Sequence, residues 1–257
     1  MLFFGRIELY ITVIEMRTNI KPYTYVVDIY PHLMSFINYK DWAEYYYLIT
    51  KKILNTDAKV LELAAGNCNL AVHLKNYYSN LYVSDYSFEM LGSCKDSSLN
   101  RICCDMNFLP FKNKYNLIFS AFDSINYLLS KKALSKLFRQ INIILDDKGI
   151  FSFDVSLENN SVKNIRFLNR NKNYNGINYI QKSFYDKVKM IHYNKFILKY
   201  PDGREIEELH LQKIFPMDVY LELLTNNGFY VQNCYDAFTF NDANDKSTRI
   251  QFIAIKK

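Results

Sequence analysis

Apolar positions change their spacing along the chain, and each change marks a different element. In residues 41–55, DWAEYYYLITKKILN, the side chains of Trp42, Tyr45, Leu48, Ile49 and Ile53 fall on or near one helical face. A strand–helix rhythm follows. KVLEL (59–63) is a short apolar strand, NLAVHLKNYY (69–78) has helical spacing, and LYVSD (81–85) is again a strand. A short helix is predicted around FEMLGSC, then strands at RICCD (101–105) and YNLIFS (115–120). In KKALSKLFRQINIIL (131–145), Leu134, Leu137, Phe138, Ile141 and Leu145 recur at helical spacing, and DDKG then turns the chain into IFSFDVS (150–156). Apolar strands alternating with helices predict a parallel sheet covered on both faces.

After residue 157 the rhythm changes. NYIQKSFYD, VKMIHYNKFILKY and REIEELHLQKIF are longer, alternating and half-polar. The last two flank PDGR, a hairpin turn through Asp202–Gly203. This predicts a small antiparallel sheet inserted into an α/β domain. MDVYLELLTNNG (217–228) is a helix ending at Gly228, and FYVQNCYDAF and TRIQFIAIKK are two closing strands.

Composition adds little to this picture but excludes some classes. The 257 residues are 49% hydrophobic, enough for a sizeable core. The formal net charge is +6, but basic and acidic residues are interspersed, which reads as a solvated surface rather than a nucleic-acid groove. Five cysteines without a C-x-x-C pair, and only four histidines, give no zinc pattern. Reduced thiols and a cytoplasmic location are the expectation. The opening MLFFGRIELYITVIEM contains Arg6, Glu8 and Glu15. It is too short and too charged to span a bilayer and lacks the features of a secretory signal. It reads as an extra strand or, preferably, as an extension upstream of a start at Met16.

The candidate chemistry lies at the carboxyl ends of the predicted parallel strands, where open α/β sheets bind ligands. VLELAAGNCNL (60–70) is strand, tight loop, helix. Ala64, Ala65, Gly66 and Cys68 keep the loop small where a ligand approaches, although only Gly66 is glycine. Asp85 ends the next strand, 23 residues after Glu62. An acid there can accept from ribose hydroxyls, with Ser87 as the better helix cap. Asp105 ends a third strand and could accept from an adenine amino group, with Met106 packed on the ring. FSAFDSINYL then gathers Phe122, Asp123, Ser124, Asn126 and Tyr127 at the end of a fourth.

Together these segments resemble class I S-adenosylmethionine-dependent methyltransferases. VLELAAGNCNLAVHL is similar to the E-x-G-x-G-x-G loop, with Ala64 and Cys68 in glycine places, and YVSDYSFEML to the ribose-binding strand end and following helix. CCDMNFLPFKNKYNLIFSAFDSINYLLS, DDKGIFSFDVS, REIEELHLQKIFPMDVYLELLTNNGFYV and STRIQFIAIKK resemble a narrower subgroup that includes sugar-amine N-methyltransferases. YTYVVDIYPHLMSFINYKDWAEYY resembles that subgroup's N-terminal lid. The likeness covers residues 17 to 257. It departs from the pattern at Pro31 and Asn38, which stand in acidic places, and at Lys213, which stands where arginine is common and cannot form its planar fork.

The resemblance implies a Rossmann-like seven-stranded sheet with helices on both faces and an inserted antiparallel sheet. It implies residues 1–56 as extension and lid, 57–157 and 214–257 as the S-adenosylmethionine-binding core, and 158–213 as a cover for the acceptor. Glu62, Ala64, Gly66, Asp85, Tyr86, Met90, Asp105, Met106 and Phe122 are implied at the cofactor. Tyr30, Tyr127, Glu208, His210 and Arg249 are candidates near the acceptor. The acceptor implied is a small molecule, an amine nitrogen first, methylated by in-line displacement with no metal. His210 and Glu208, two apart on a strand, share a face and could take a proton. An RNA or protein methyltransferase, or a cofactor-binding module without catalysis, remains the alternative.

Overall fold

The computed structural model describes residues 20–112 and 114–257; the expectations for the opening segment and for Met16 lie outside the described residues. The described chain begins with a 3₁₀ turn at Val26–Asp28, then helices α1 (Tyr30–Leu33) and α2 (Tyr39–Thr50). It continues through β1 (Lys59–Leu63), α3 (Asn69–Leu74), β2 (Asn80–Asp85), α4 (Phe88–Gly92), β3 (Asn100–Cys103) and β4 (Tyr115–Ser120). A 3₁₀ turn at Ser124–Tyr127 precedes α5 (Lys131–Ile144), β5 (Leu145–Ser156) and α6 (Glu158–Leu168). Strands β6 (Arg170–Tyr174), β7 (Ile177–Asp186), β8 (Ile191–Lys199) and β9 (Glu205–Lys213) follow. The fold closes with α7 (Met217–Asn226), β10 (Phe229–Asp236) and β11 (Arg249–Lys256).

The seven-stranded sheet has the order β10-β11-β5-β4-β1-β2-β3. Strand β11 runs antiparallel to both neighbours, and the pairs from β5 to β3 are parallel. Side chains alternate across it. Leu61 and Leu63 enter a core with Leu134, Leu137, Phe138 and Ile141 of α5 and Tyr220 and Leu224 of α7. Val60, of the opposite phase, enters a second core with Trp42, Ala43 and Tyr46 of α2 and Leu70, Ala71 and Leu74 of α3. A strand buried on both faces has no polar face to show, which is why KVLEL reads as a continuous apolar run.

Local chemistry fixes the helix starts. Ser130 caps α5 by accepting from the Ala133 N–H, and Ser87 caps α4 by accepting from the Met90 N–H. Asn38, which departs from the acidic pattern, caps α2 through the Lys40 N–H. Pro31 sits in the first turn of α1, where its missing N–H goes unused. Helix α2 is shorter than its predicted span and ends before Ile53, which is exposed.

The second sheet, β6-β7-β8-β9, is antiparallel throughout. Helix α6, which precedes it, and its edge strand β6 carry no sequence signal. The helix buries only Ser161, and RNKNY is a polar edge strand. One face of β7 and β8, with Ile177, Tyr179, Phe196 and Leu198, packs against Val26, Ile29 and Leu33 of the N-terminal segment.

Asn126 joins the two sheets rather than facing a ligand. Its amide donates to the carbonyls of Ser156 (3.2 Å) at the end of β5 and Lys213 (2.8 Å) at the end of β9, and its oxygen accepts from the Ser156 N–H (2.9 Å). Asn126→Ala strands buried backbone groups on both strands, so it is expected to cost ~3 kcal/mol. Urea unfolding of the variant, with an unchanged m-value, measures this loss.

Candidate active site

The strand order reverses between β1 and β4, so their connections leave in opposite directions and open a crevice at the carboxyl edge. A cavity of ≈ 280 Å³ lies there. Its walls come from the loop after β1 (Ala64 to Leu70), the end of β2 (Ser84 to Ser87) and Met90. The segment after β3 (Cys104 to Asn107) and residues Phe122, Ser124, Tyr127 and Leu128 after β4 complete the core's share. The N-terminal segment closes it with Pro22, Tyr23, Tyr30 and Tyr39.

The loop after β1 explains its unusual sequence. Ala64 (φ 55°), Gly66 (φ 57°) and Cys68 (φ 63°) are all left-handed. The alternating glycine places therefore keep their backbone conformation when occupied by alanine and cysteine, at ~1–2 kcal/mol of strain each. The conformational freedom is not given up; it is replaced by strain. Packing supports Cys68, whose side chain is fully buried in the second core. Gly66 admits no side chain without adjustment, because an added Cβ would lie 3.1 Å from the Met90 methyl and 3.8 Å from the Tyr30 hydroxyl.

Asp85 holds this loop from the tip of β2. One carboxylate oxygen accepts the Gly66 N–H at 2.7 Å and the other the Ser87 N–H at 2.8 Å. Asp85 is thus not free of the protein, as its sparing by the Ser87 cap implied. A carboxylate still has acceptor capacity after two such bonds. Burial raises its pKa, and the backbone hydrogen bonds pull the other way. Asp105 stands two residues beyond the end of β3 and accepts from the Asn107 backbone and side chain (2.7 and 2.9 Å). Glu62 is buried on β1 and is not on the cavity wall. Its Oε2 is buried without a hydrogen-bond partner. Burial, and then Asp85, push its carboxyl well above the usual range.

Of the residues expected at the cofactor, Ala64, Gly66, Asp85, Tyr86, Met90, Asp105, Met106 and Phe122 line the cavity. Of those expected at the acceptor, Tyr30 and Tyr127 line it, and three others do not. Glu208 and His210 are buried behind Tyr127, whose hydroxyl is 2.9 Å from His210 Nδ1. Arg249 pairs with buried Asp154 and with Asp123 (3.4 Å). It serves the ends of β4, β5 and β11 rather than the cavity. Lys213 donates to the Lys189 carbonyl at 2.5 Å and is also off the wall.

Tyr23 escaped the sequence reading. Its hydroxyl is 2.8 Å from that of Tyr127, and its ring packs edge-on against Tyr30 (5.8 Å) and His210 (4.6 Å). With 22 tyrosines in the chain, nothing in the sequence distinguished it. The available signal was indirect: it opens the segment YTYVVDIY that resembles a lid. Glu208 fixes that segment by accepting the backbone N–H groups of Tyr23, Tyr25 (2.8 Å) and Val26 (3.1 Å).

Comparison with known proteins agrees with this geometry. Residues 60–149 match the family model described as a methyltransferase domain. A Bacillus subtilis (strain 168) protein that bears a methyltransferase name, YqeM, is 27% identical over 240 residues, covering 89% of this chain and 94% of that protein. A crystal structure of an S-adenosylmethionine-dependent methyltransferase from Clostridium acetobutylicum ATCC 824 superposes with a TM-score of 0.76 at 20% identity, covering 92% of this chain and 99% of that one. The sugar N-methyltransferase KedS8 from Streptoalloteichus sp ATCC 53650 gives 0.72 at 14% identity, covering 92% and 95%. Residues 60–149 are thus similar to a methyltransferase domain, and the chain as a whole shares the Rossmann-like fold of these S-adenosylmethionine-dependent methyltransferase structures.

The loop makes a direct prediction. Ala64→Gly removes left-handed strain but adds unfolded-state freedom of ~0.5–1 kcal/mol. The net effect expected is a stability unchanged or raised by up to ~1 kcal/mol. Thermal unfolding checks it; a clear fall in Tm would mean that the methyl group packs more than the loop strains.

Proposed function

We propose that the protein transfers a methyl group from S-adenosylmethionine to a small-molecule acceptor, an amine nitrogen first. The observation that carries this reading is the convergence of Tyr23, Tyr30 and Tyr127 on one cavity whose other walls are the loop after β1, Asp85 and Asp105. The cavity is at the small end of ligand pockets, which run to roughly 300–1,000 Å³. On this reading, residues 57–157 and 214–257 bind the cofactor, residues 158–213 back the acceptor end, and the N-terminal segment is the lid. On the same reading the enzyme works in the cytoplasm, with a small-molecule acceptor as its partner. Among the described residues, no helix is long and apolar enough to cross a membrane.

The residues present fit the cofactor. Its ribose hydroxyls are donors, and Asp85 retains acceptor capacity. Its ammonium is a cationic donor, and the buried Glu62 carboxyl group has an oxygen without a hydrogen-bond partner. Met90, Met106 and Phe122 provide apolar wall. When bound, S-adenosylmethionine would supply a methyl group activated by its sulfonium charge, which passes to the acceptor as the bond to sulfur breaks. The protein's part is orientation and exclusion of water. The tyrosine rings and oxygens present electron-rich groups suited to a positive centre. Similarity to a sugar N-methyltransferase structure supports a small acceptor.

Two calorimetric outcomes test the reading. S-adenosylmethionine and S-adenosylhomocysteine should bind with micromolar affinity, and Asp85→Ala should weaken both roughly 10–100-fold through lost hydrogen bonds to a charged group. Absence of binding by the wild type would sink the reading.

The second outcome concerns Glu62. Its folded-state pKa is raised, so between the unfolded and folded values the native state holds a proton that the unfolded chain has lost. Native stability therefore falls as pH rises through that window. A cation seated against Glu62 lowers its pKa again, so binding in the window should release a proton. Calorimetry in buffers of different ionisation enthalpy should detect that release, and Glu62→Gln should abolish it.

A further inference from the structure

Four polar side chains form an unbroken line from the cavity into the protein. Tyr23 Oη is 2.8 Å from Tyr127 Oη, Tyr127 Oη is 2.9 Å from His210 Nδ1, and His210 Nε2 is 2.7 Å from Glu208 Oε1. Tyr23 and Tyr127 line the cavity, whereas His210 is 3% exposed and Glu208 is fully buried. The direction of every bond in this line is determined at its buried end. Glu208 accepts three backbone N–H groups, from Tyr23, Tyr25 and Val26. Its oxygens are therefore the acceptors of this cluster.

It follows that His210 donates from Nε2. The neutral ring then has a lone pair on Nδ1, so the Tyr127 hydroxyl donates to it. The Tyr127 oxygen in turn accepts from Tyr23. Tyr23 has spent its proton inward, and the remaining lone pairs of its oxygen are what the line can offer a ligand. The line therefore ends at the cavity as a proton acceptor.

We propose that Tyr23, Tyr127 and His210 are a one-way proton wire that takes the proton released by the methyl acceptor, with Glu208 as the residue that sets its direction. This rests on the methyl-transfer reading above and narrows the substrate class to small molecules whose reacting atom arrives protonated, a protonated amine first. The step balances. The acceptor's N–H bond breaks and its proton goes to the Tyr23 oxygen. Tyr23 passes its own proton to Tyr127, and Tyr127 passes its own to His210 Nδ1. The products are an amine with a free lone pair and an imidazolium beside the Glu208 carboxylate. Burial holds both tyrosines well above their usual pKa, so they act as neutral carriers and not as tyrosinates. The lid is part of the wire, because it carries Tyr23 and its backbone helps to hold Glu208.

The test has two arms on the full chain. In ¹⁵N-histidine spectra, with His210 assigned by its loss in His210→Gln, the ring should be neutral and protonated at Nε2 at pH 8. Tyr127→Phe should move the Nδ1 resonance and leave Nε2 in place. A ring protonated at Nδ1 alone, or at both nitrogens, overturns the wire.

The kinetic arm uses the amine found by screening small primary and secondary amines for S-adenosylhomocysteine release. Tyr127→Phe should lower kcat roughly 100-fold at neutral pH. The deficit should shrink as pH rises through the amine's own pKa, because the acceptor then arrives deprotonated. The other acids that face the wire, Asp123 and Asp85, are the same in both proteins. A deficit independent of pH overturns the wire and leaves the tyrosine structural. Failure of every amine, or of cofactor binding, overturns the methyl-transfer reading itself, whatever the state of His210.

Discussion

One fully buried acidic side chain ties the N-terminal segment to the second sheet. Glu208 lies on β9 of the second sheet, yet its oxygens accept from the backbone of the N-terminal segment and from His210. A buried charge is tolerated only when its hydrogen-bonding capacity is met, and removing its partners costs several kcal/mol, on the order of 3–5. The N-terminal segment therefore cannot leave without stranding the charge. That constraint positions Tyr23 and, through the packing of Val26, Ile29 and Leu33 on the second sheet, Tyr30. Both tyrosines become cavity wall because a carboxylate on another element holds the backbone beside them.

The cofactor end depends on a different economy. Three left-handed residues at alternate positions turn the chain sharply enough to leave an open cavity at the end of β1. Asp85 holds the middle one through its N–H. The one glycine of the three stands where an added Cβ would lie 3.1 Å from the Met90 methyl. The two regions meet near Gly66, where an added Cβ would lie 3.8 Å from the Tyr30 hydroxyl. Asn126 keeps them in register from below by joining the ends of β5 and β9.

The α/β core was legible because its strands are buried on both faces and its helices carry periodic apolar stripes. Leu134, Leu137, Phe138 and Ile141 all proved buried. The antiparallel sheet was legible from alternation and from Asp202–Gly203. Helix α6 and strand β6 were not, because a helix that buries one serine and a polar edge strand leave no periodic signal. Residues on the cavity side of the core could be placed from strand ends alone. The acceptor end could not. Arg249, placed near the acceptor by the resemblance, and Asn126, placed by its position after a strand end, satisfy buried carboxylate and backbone groups. Tyr23 has its place only because of Glu208, 185 residues away along the chain. Contacts across such a separation have no local pattern to read.

Glu208 holds the N-terminal segment through its backbone N–H groups, and amide hydrogen exchange measures this directly. In the wild type the amides of Tyr23, Tyr25 and Val26 should exchange slowly. In Glu208→Gln, which keeps the shape and loses the charge, they should exchange much faster, while the β7–β8 pairing stays protected. If the lid amides exchange at the same rate in both proteins, the carboxylate does not hold the segment, and the account of the acceptor end fails.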